Sequence, residues 1–165
     1  MSAADLLPVE PLSKSAFAPF GEVIAAQSAA QTLAMNAGSA QRYANLAQID
    51  CAAGGGRAVI GIVRAQPNAM PIPLRLLERH PLGTQAFVPL SDAPYVVVVA
   101  TAATATPRAF LVGDGQGISF NRGTWHHPLL GLEREADFLV IDRVGPGNNC
   151  EEAALTQRWL IDLRS

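Results

Sequence analysis

The sequence predicts an all-β fold, a small barrel or two-sheet sandwich with a few short helices at its periphery. Three observations carry this expectation. Short runs with strand character recur between Gly, Pro, Asn and Asp punctuation, in a chain with 14 Gly and 12 Pro. Two of these runs, Val96-Val97-Val98-Val99 and Phe138-Leu139-Val140-Ile141, are continuously apolar and rich in β-branched residues, the pattern of strands covered on both faces. The amphipathic helices of roughly ten residues that a doubly wound α/β fold places between its strands are missing.

In chain order, a short helical pattern at Ser13 to Phe17 precedes strand runs at Gly21 to Ala25 and Ala58 to Arg64. A second helical piece at Leu74 to Leu77 leads to strand runs at Ala86 to Pro89 and Tyr95 to Ala100. Runs at Ala109 to Val112 and Gly117 to Phe120 flank Gly113-Asp114-Gly115-Gln116-Gly117. Those glycines suit a hairpin turn, and with no helix behind them they make a poor nucleotide cradle. Phe138 to Arg143 is the last strand run, and Glu151 to Arg158 reads as a third helical piece. The Ala/Gly-rich stretch Cys51 to Gly56 and the Ala/Thr-rich stretch Ala100 to Thr106 read as loops.

A length of 165 residues suits one domain, taken here as residues 1–165. With 49% hydrophobic and 16% charged residues, the chain is neither disordered nor a coiled coil. A net charge of −2 without runs of like charge gives no support to a nucleic-acid or anionic-membrane partner, which leaves small molecules. No apolar stretch approaches the roughly 20 residues that span a bilayer. The start, with Asp5 and Glu10, lacks the basic region of a secretory signal, so a cytoplasmic protein is expected. Cys51 and Cys150 are too few for a disulfide framework and are expected as reduced thiols.

The three histidines fall in two short segments, Leu77 to Gln85 and Asn121 to Pro128. On a strand, Glu78 and His80 point to one face, and a turn at Pro81-Leu82-Gly83 would return Gln85 beside them on the next strand. His126 or His127 could add a fourth group from another hairpin. Imidazole nitrogens with carboxylate and amide oxygens form a donor set suited to a divalent ion such as Ni, Mn, Fe or Zn.

The spacing from Glu78 through His80 to Gln85 resembles the first cupin motif, His-x-His-x3-4-Glu, with two of its three ligand types replaced. The second segment resembles the second motif, Gly-x5-Pro-x-Gly-x2-His-x3-Asn. Gly115, Gly123 and His126 match it, while Asn121 stands in the Pro position and Leu130 in the Asn position. Longer strings are more specific: Arg64-Ala65-Gln66-Pro67, the run from Glu78 to Pro89, Trp125-His126-His127-Pro128-Leu129, and the run from Asp137 to Arg143 followed by Asn149-Cys150. In this order and spacing they resemble the ureidoglycolate lyase (ureidoglycolate hydrolase) family of allantoin and purine breakdown. The resemblance runs from Leu12-Ser13 to about Glu151 and is weakest around Cys51 and after Asn149.

The resemblance implies a homodimeric, cupin-like β-barrel enzyme that splits (S)-ureidoglycolate into glyoxylate and urea, and a divalent metal commonly described as nickel. Carrying the cupin positions across gives Glu78, His80, Gln85 and His126 as ligands, with His126 rather than His127 facing inward. Because Gln85 is neutral, two arrangements stay open: a weakly charged metal site, or a metal-free pocket in which the same groups bind substrate.

Elimination from ureidoglycolate removes the hydroxyl proton and protonates the departing urea nitrogen. His80 and His126 are the candidate proton-transfer groups, with Glu78 tuning them. Arg64 and Arg143 are candidate clamps for the substrate carboxylate. Asn36, Gln66 and Gln85 could bind the ureido amides, and Asp142, a charge on an apolar strand, needs a partner in Arg143 or a pocket histidine. Trp125 reads as core packing. Two other readings remain: a metal-dependent cupin hydrolase of another small ureido or oxo acid, and a non-catalytic cupin that binds a small molecule.

Overall fold

In the computed structural model, which describes residues 4–164, every predicted strand run is a strand, with ends shifted by at most two residues. The elements begin β1 Asp5–Leu6, β2 Val9–Pro11, α1 Lys14–Phe17, β3 Gly21–Ile24, β4 Gln31–Met35, β5 Ala40–Ala44, β6 Arg57–Ala65 and β7 Ile72–Arg79. They continue β8 Gln85–Pro89, β9 Tyr95–Ala100, β10 Arg108–Val112, β11 Gly117–Phe120, β12 Trp125–His126, β13 Leu130–Gly131, β14 Ala136–Val144 and β15 Glu151–Ile161. One sheet has the order β1-β15-β7-β12-β9-β10-β2, with β13 also on β9. A second has the order β3-β11-β8-β14-β6, and β4 and β5 form a separate hairpin. The fold is all-β and cupin-like.

The apolar run of β9 explains how the layers hold together. Every residue from Tyr95 to Ala100 is buried. Tyr95, Val97 and Val99 enter one hydrophobic cluster, with Phe17, Phe110, Phe120 and Phe138, while Val96, Val98 and Ala100 enter another, with Leu74, Leu77 and Ile161. Alternation on a strand splits one continuous apolar run between two cores. The second apolar run behaves differently: on β14, Phe138 and Val140 are buried, but Leu139 and Ile141 are half-exposed, so that strand is covered fully on one face only.

Helix α1 is short because Pro19 follows within two residues of its end. Its N-cap Ser13 accepts a hydrogen bond from the Ala16 N–H at 3.2 Å, and Phe17 packs edge-on against Phe110 at 5.6 Å. The other two predicted helical pieces are strands. Leu74 to Leu77 lies within β7, and Glu151 to Arg158 lies within β15, its antiparallel partner. Tertiary pairing overrides the helical preference of the Ala, Leu and Glu residues there. A trace of the conflict survives as an irregularity: the pairing jumps from Ala154↔Leu76 to Trp159↔Leu74, leaving Leu155 to Arg158 opposite Arg75 alone.

Two further expectations need correction, and one element went unread. Strands β7 and β8 do not pair, so the turn after His80 carries the chain from one sheet to the other. Strands β10 and β11 likewise lie in different sheets, so the Gly113 to Gly117 loop is a crossing and not a hairpin turn. The β4–β5 hairpin was not read from the sequence: its polar and Ala-rich strands carry little β signal, and its turn runs through positive φ at Asn36, Ala37 and Gly38.

Candidate active site

The two histidine segments meet where the sheets converge. Strand β12 lies between β7 and β9, and its pairing sets His126 directly across from Glu78. Nε2 of His126 lies 3.4 Å and Nε2 of His80 lies 4.0 Å from Oε1 of Glu78, and the two imidazole centroids are 5.2 Å apart. Gln85 opens β8 in the opposite sheet and reaches the same place across the gap, not along a hairpin.

Backbone carbonyls fix the state of both rings. Nδ1 of His80 lies 2.7 Å from the carbonyl oxygen of Asn149, and Nδ1 of His126 lies 3.0 Å from that of Thr124. A carbonyl only accepts, so Nδ1 carries a proton in each ring, and Nε2 offers a lone pair when the ring is neutral and a donor to Glu78 when it is protonated. His126 is 2% exposed and stacks on Phe120 at 4.1 Å, which locks its orientation. Asn149 also accepts from the Leu82 N–H through Oδ1 at 2.8 Å, clamping the turn after His80.

Among the described residues, the buried side-chain nitrogen and oxygen atoms without a hydrogen-bond partner are His80 Nε2, His126 Nε2 and Gln85 Oε1. Buried polar atoms are normally satisfied. That all three belong to one predicted ligand set means the unmet capacity is aimed at something other than protein. With the Glu78 carboxylate, whose ligand atom lies within 4.8 Å of those of both histidines, the set fits a divalent ion. The Glu78 carboxyl is held below the usual carboxylate range, chiefly by the His126 ring that approaches it. Burial opposes this, and the charges of His126, His80 and His127 add smaller contributions.

Two cavities border this group. One, of about 120 Å³, is largely apolar and includes Glu78, Gln85, His126, His127, Phe87 and Phe120 in its wall. The other, of about 310 Å³, is polar and includes His80, Gln85, Asp142, Arg143 and Asn149. Gln85 belongs to both. His127 donates from Nδ1 to the carbonyl of its neighbour Pro128 at 2.8 Å, and burial pushes its imidazole below the usual range.

The sequence model of the family described as "Ureidoglycolate lyase" matches residues 4–162. Relatives of that name include one from Burkholderia mallei, 48% identical over 160 residues that make up 94% of each chain. Another, from Brucella melitensis, is 50% identical over 151 residues, 90% of this chain and 89% of the relative. One from Pseudomonas paraeruginosa is 46% identical over 165 residues, covering 96% and 97%. This chain belongs to the ureidoglycolate lyase family.

Against that membership, the predicted residues divide into two groups. Glu78, His80, Gln85, His126, Asp142 and Arg143 of this ureidoglycolate lyase family chain come together on the two cavities. Arg64, Gln66 and Asn36 do not. Arg64 is exposed and forks onto Asp137 at 2.7 and 2.9 Å, Gln66 donates to Glu135 at 2.6 Å, and Asn36 sits in the exposed β4–β5 turn, where its positive φ suits asparagine. Asp142 shares the face of β14 that carries Phe138 and Val140 into the core, and among the described residues it pairs with neither Arg143 nor a histidine. Trp125 packs against the second cluster, as expected. The sequence reading missed the positioning contacts of Asn149 and Thr124. Asn149 lay inside a string that carried the family resemblance, but backbone carbonyls leave no residue-type signal.

Proposed function

We propose that this chain splits (S)-ureidoglycolate into glyoxylate and urea, as one catalytic domain of allantoin and purine breakdown in the cytoplasm. The observation that carries the reading is the convergence of the three unpartnered buried atoms, His80 Nε2, His126 Nε2 and Gln85 Oε1, on the ionised Glu78. Glu78, His80, His126 and Gln85 would hold a divalent ion, nickel in our reading, which when bound supplies Lewis-acid polarisation of substrate oxygens. Arg143 anchors the substrate carboxylate from the polar cavity, and Asp142 and Gln85 receive the ureido N–H groups. In a metal-free site the same Nε2 lone pairs of His80 and His126 would instead face the reacting carbon and move the proton. Loss of the hydroxyl proton lets the oxygen's electron pair form the aldehyde bond as the C–N bond breaks, and the proton returns to the departing urea nitrogen.

Incubating purified protein with (S)-ureidoglycolate, with and without chelator, tests this. Glyoxylate and urea in equal amounts are expected, with loss of rate on chelation and recovery with nickel. A rate indifferent to chelator assigns His80 and His126 to direct proton transfer in a metal-free site. Release of ammonia in place of urea favours a hydrolase, and saturable binding without products favours a non-catalytic cupin.

We also read the chain as a homodimer. Strand β6 is the edge of its sheet, and its outward residues Ile60 and Ile62 are 71% and 57% exposed. An uncovered apolar edge strand invites pairing or aggregation, and a second copy would cover it. Light scattering behind size exclusion should give twice the 17.4 kDa chain mass, falling to the chain mass in Ile60→Glu/Ile62→Glu.

A further inference from the structure

We propose that the Ala/Gly-rich segment Cys51 to Gly56, with Gly83 and Gly145, is the specificity element of the site. It sheathes Arg143 in backbone, so that the guanidinium must draw its counter-charge from the substrate. This inference rests on the reading of Arg143 as the carboxylate anchor. Arg143 is 7% exposed, and among the described residues it forms no ion pair. Its partners are carbonyls: Nε and Nη2 donate to Ala53 at 3.1 and 2.7 Å, and Nη2 also donates to Pro146 at 2.7 Å. Nη1 makes none of these bonds.

The fit leaves no space for side chains. A methyl group at Gly56 would lie 2.2 Å from Nε and 2.7 Å from Cζ, and one at Gly83 would lie 2.8 Å from the Arg143 Cβ. Gly145, at φ +147, would bring a methyl within 2.7 Å of the Gly56 Cα and 3.3 Å of Nη2. Three segments, through Gly56, Gly83 and Gly145, therefore need glycine around one side chain. Gly83 also lies between His80 and Gln85, so the sheath fixes Arg143 relative to the turn that carries both.

A guanidinium stays protonated, and carbonyl dipoles offset only part of the unfavourable burial of its charge. What remains is a guanidinium in the wall of the polar cavity that no acid among the described residues pairs, Asp142 in the same wall included, and that an anion pairs and a neutral molecule does not. The site thus selects small hydroxy acids with a free carboxylate over their amides or esters. The sheath supplies geometry as well as charge: by engaging Nε and both protons of Nη2, it leaves Nη1 for the ligand.

Glycolate and glycolamide, an anion and a neutral analogue with the same hydroxyl, serve as competitive probes against (S)-ureidoglycolate turnover by the full chain. Wild type should prefer glycolate by about tenfold or more in inhibition constant, the range of a charge-assisted hydrogen bond. Arg143→Gln should lose that preference. Arg143→Lys keeps the charge but cannot span the carbonyls, so it should keep the preference while raising KM about tenfold. Gly56→Ala should raise KM several-fold with a smaller effect on kcat, the split expected of a displaced anchor. If Arg143→Gln keeps the preference, Arg143 is not the anchor and the underlying reading fails with the inference. If Arg143→Gln loses it while Arg143→Lys, or a folded Gly56→Ala, matches wild type in KM, the anchor stands and the sheath is overturned.

Discussion

Strands β6 and β14 run antiparallel side by side, and their two ends hold similar residues in opposite states. At one end Arg64 pairs with Asp137, Gln66 with Glu135, and each polar group finds a partner on the surface. At the other, Arg143 is buried among carbonyls without an acid, Asp142 has no ion-pair partner among the described residues, and the adjoining turn carries His80 to a cluster whose buried Nε2 and Oε1 atoms bond to nothing in the chain. Residue type does not separate the two ends, since each offers an arginine, an acid and an amide. Unmet capacity under burial does, because satisfied surface pairs gain nothing from a ligand while buried unsatisfied groups gain the most.

The strongest way to break the comparison is to remove a group from the unsatisfied end. His126→Ala should lower kcat on (S)-ureidoglycolate by roughly 10²- to 10⁴-fold, whether the ring holds an ion or moves a proton. Phe120 loses its stacked partner at 4.1 Å, so some destabilisation accompanies it, and circular dichroism should still report a folded β protein. Near-native turnover in that variant would return His126 to a structural role and leave the convergence without chemical meaning.

A smaller effect distinguishes the ends by pH. Glu78 has a folded-state carboxyl held low by His126, so its ionised form stabilises the folded chain. The sign follows from linkage: this stability is fully present above the ordinary carboxylate range and is lost as pH falls through the lowered folded value. In metal-stripped protein, the gap in melting temperature between wild type and Glu78→Gln should therefore narrow on acidification below that range. A gap that widens there would mean that the His126 contact does not hold the Glu78 carboxylate ionised.

How much of this was legible in the sequence depended on the distance over which the decisive contact acts. The Tyr95–Ala100 strand was read to its ends because six apolar residues between turn signals carry their own boundary. Glu78, His80 and Gln85 were readable as a set because eight residues of chain contain them, and His126 because a second local spacing supported it. The strand Glu151–Ile161 was misread, since its Ala, Leu and Glu residues favour a helix locally and only β7 overrules them. Arg64 and Arg143 were indistinguishable for the same reason. What buries Arg143 is Ala53, 90 positions away, and an Ala/Gly segment announces nothing about which side chain it will cover.

The smallest expected effect belongs to the satisfied end, and it is the one that sharpens the comparison most. Arg64 and its Asp137 partner hold each other charged, the arginine pushed up and the aspartate down by the fork between them, yet both lie in solvent, with 61% of the Arg64 side chain exposed. Solvent screening and the entropy of pinning two side chains cancel most of such a pair. Arg64→Ala should leave both kcat and KM on (S)-ureidoglycolate within about twofold of wild type and barely shift the melting temperature, a result that steady-state kinetics and a thermal melt can read side by side. A rise in KM comparable to that of Arg143→Gln would show that an arginine already satisfied by a surface acid still engages the substrate, and partner satisfaction would then lose its value as the sign that tells a functional cation from a structural one.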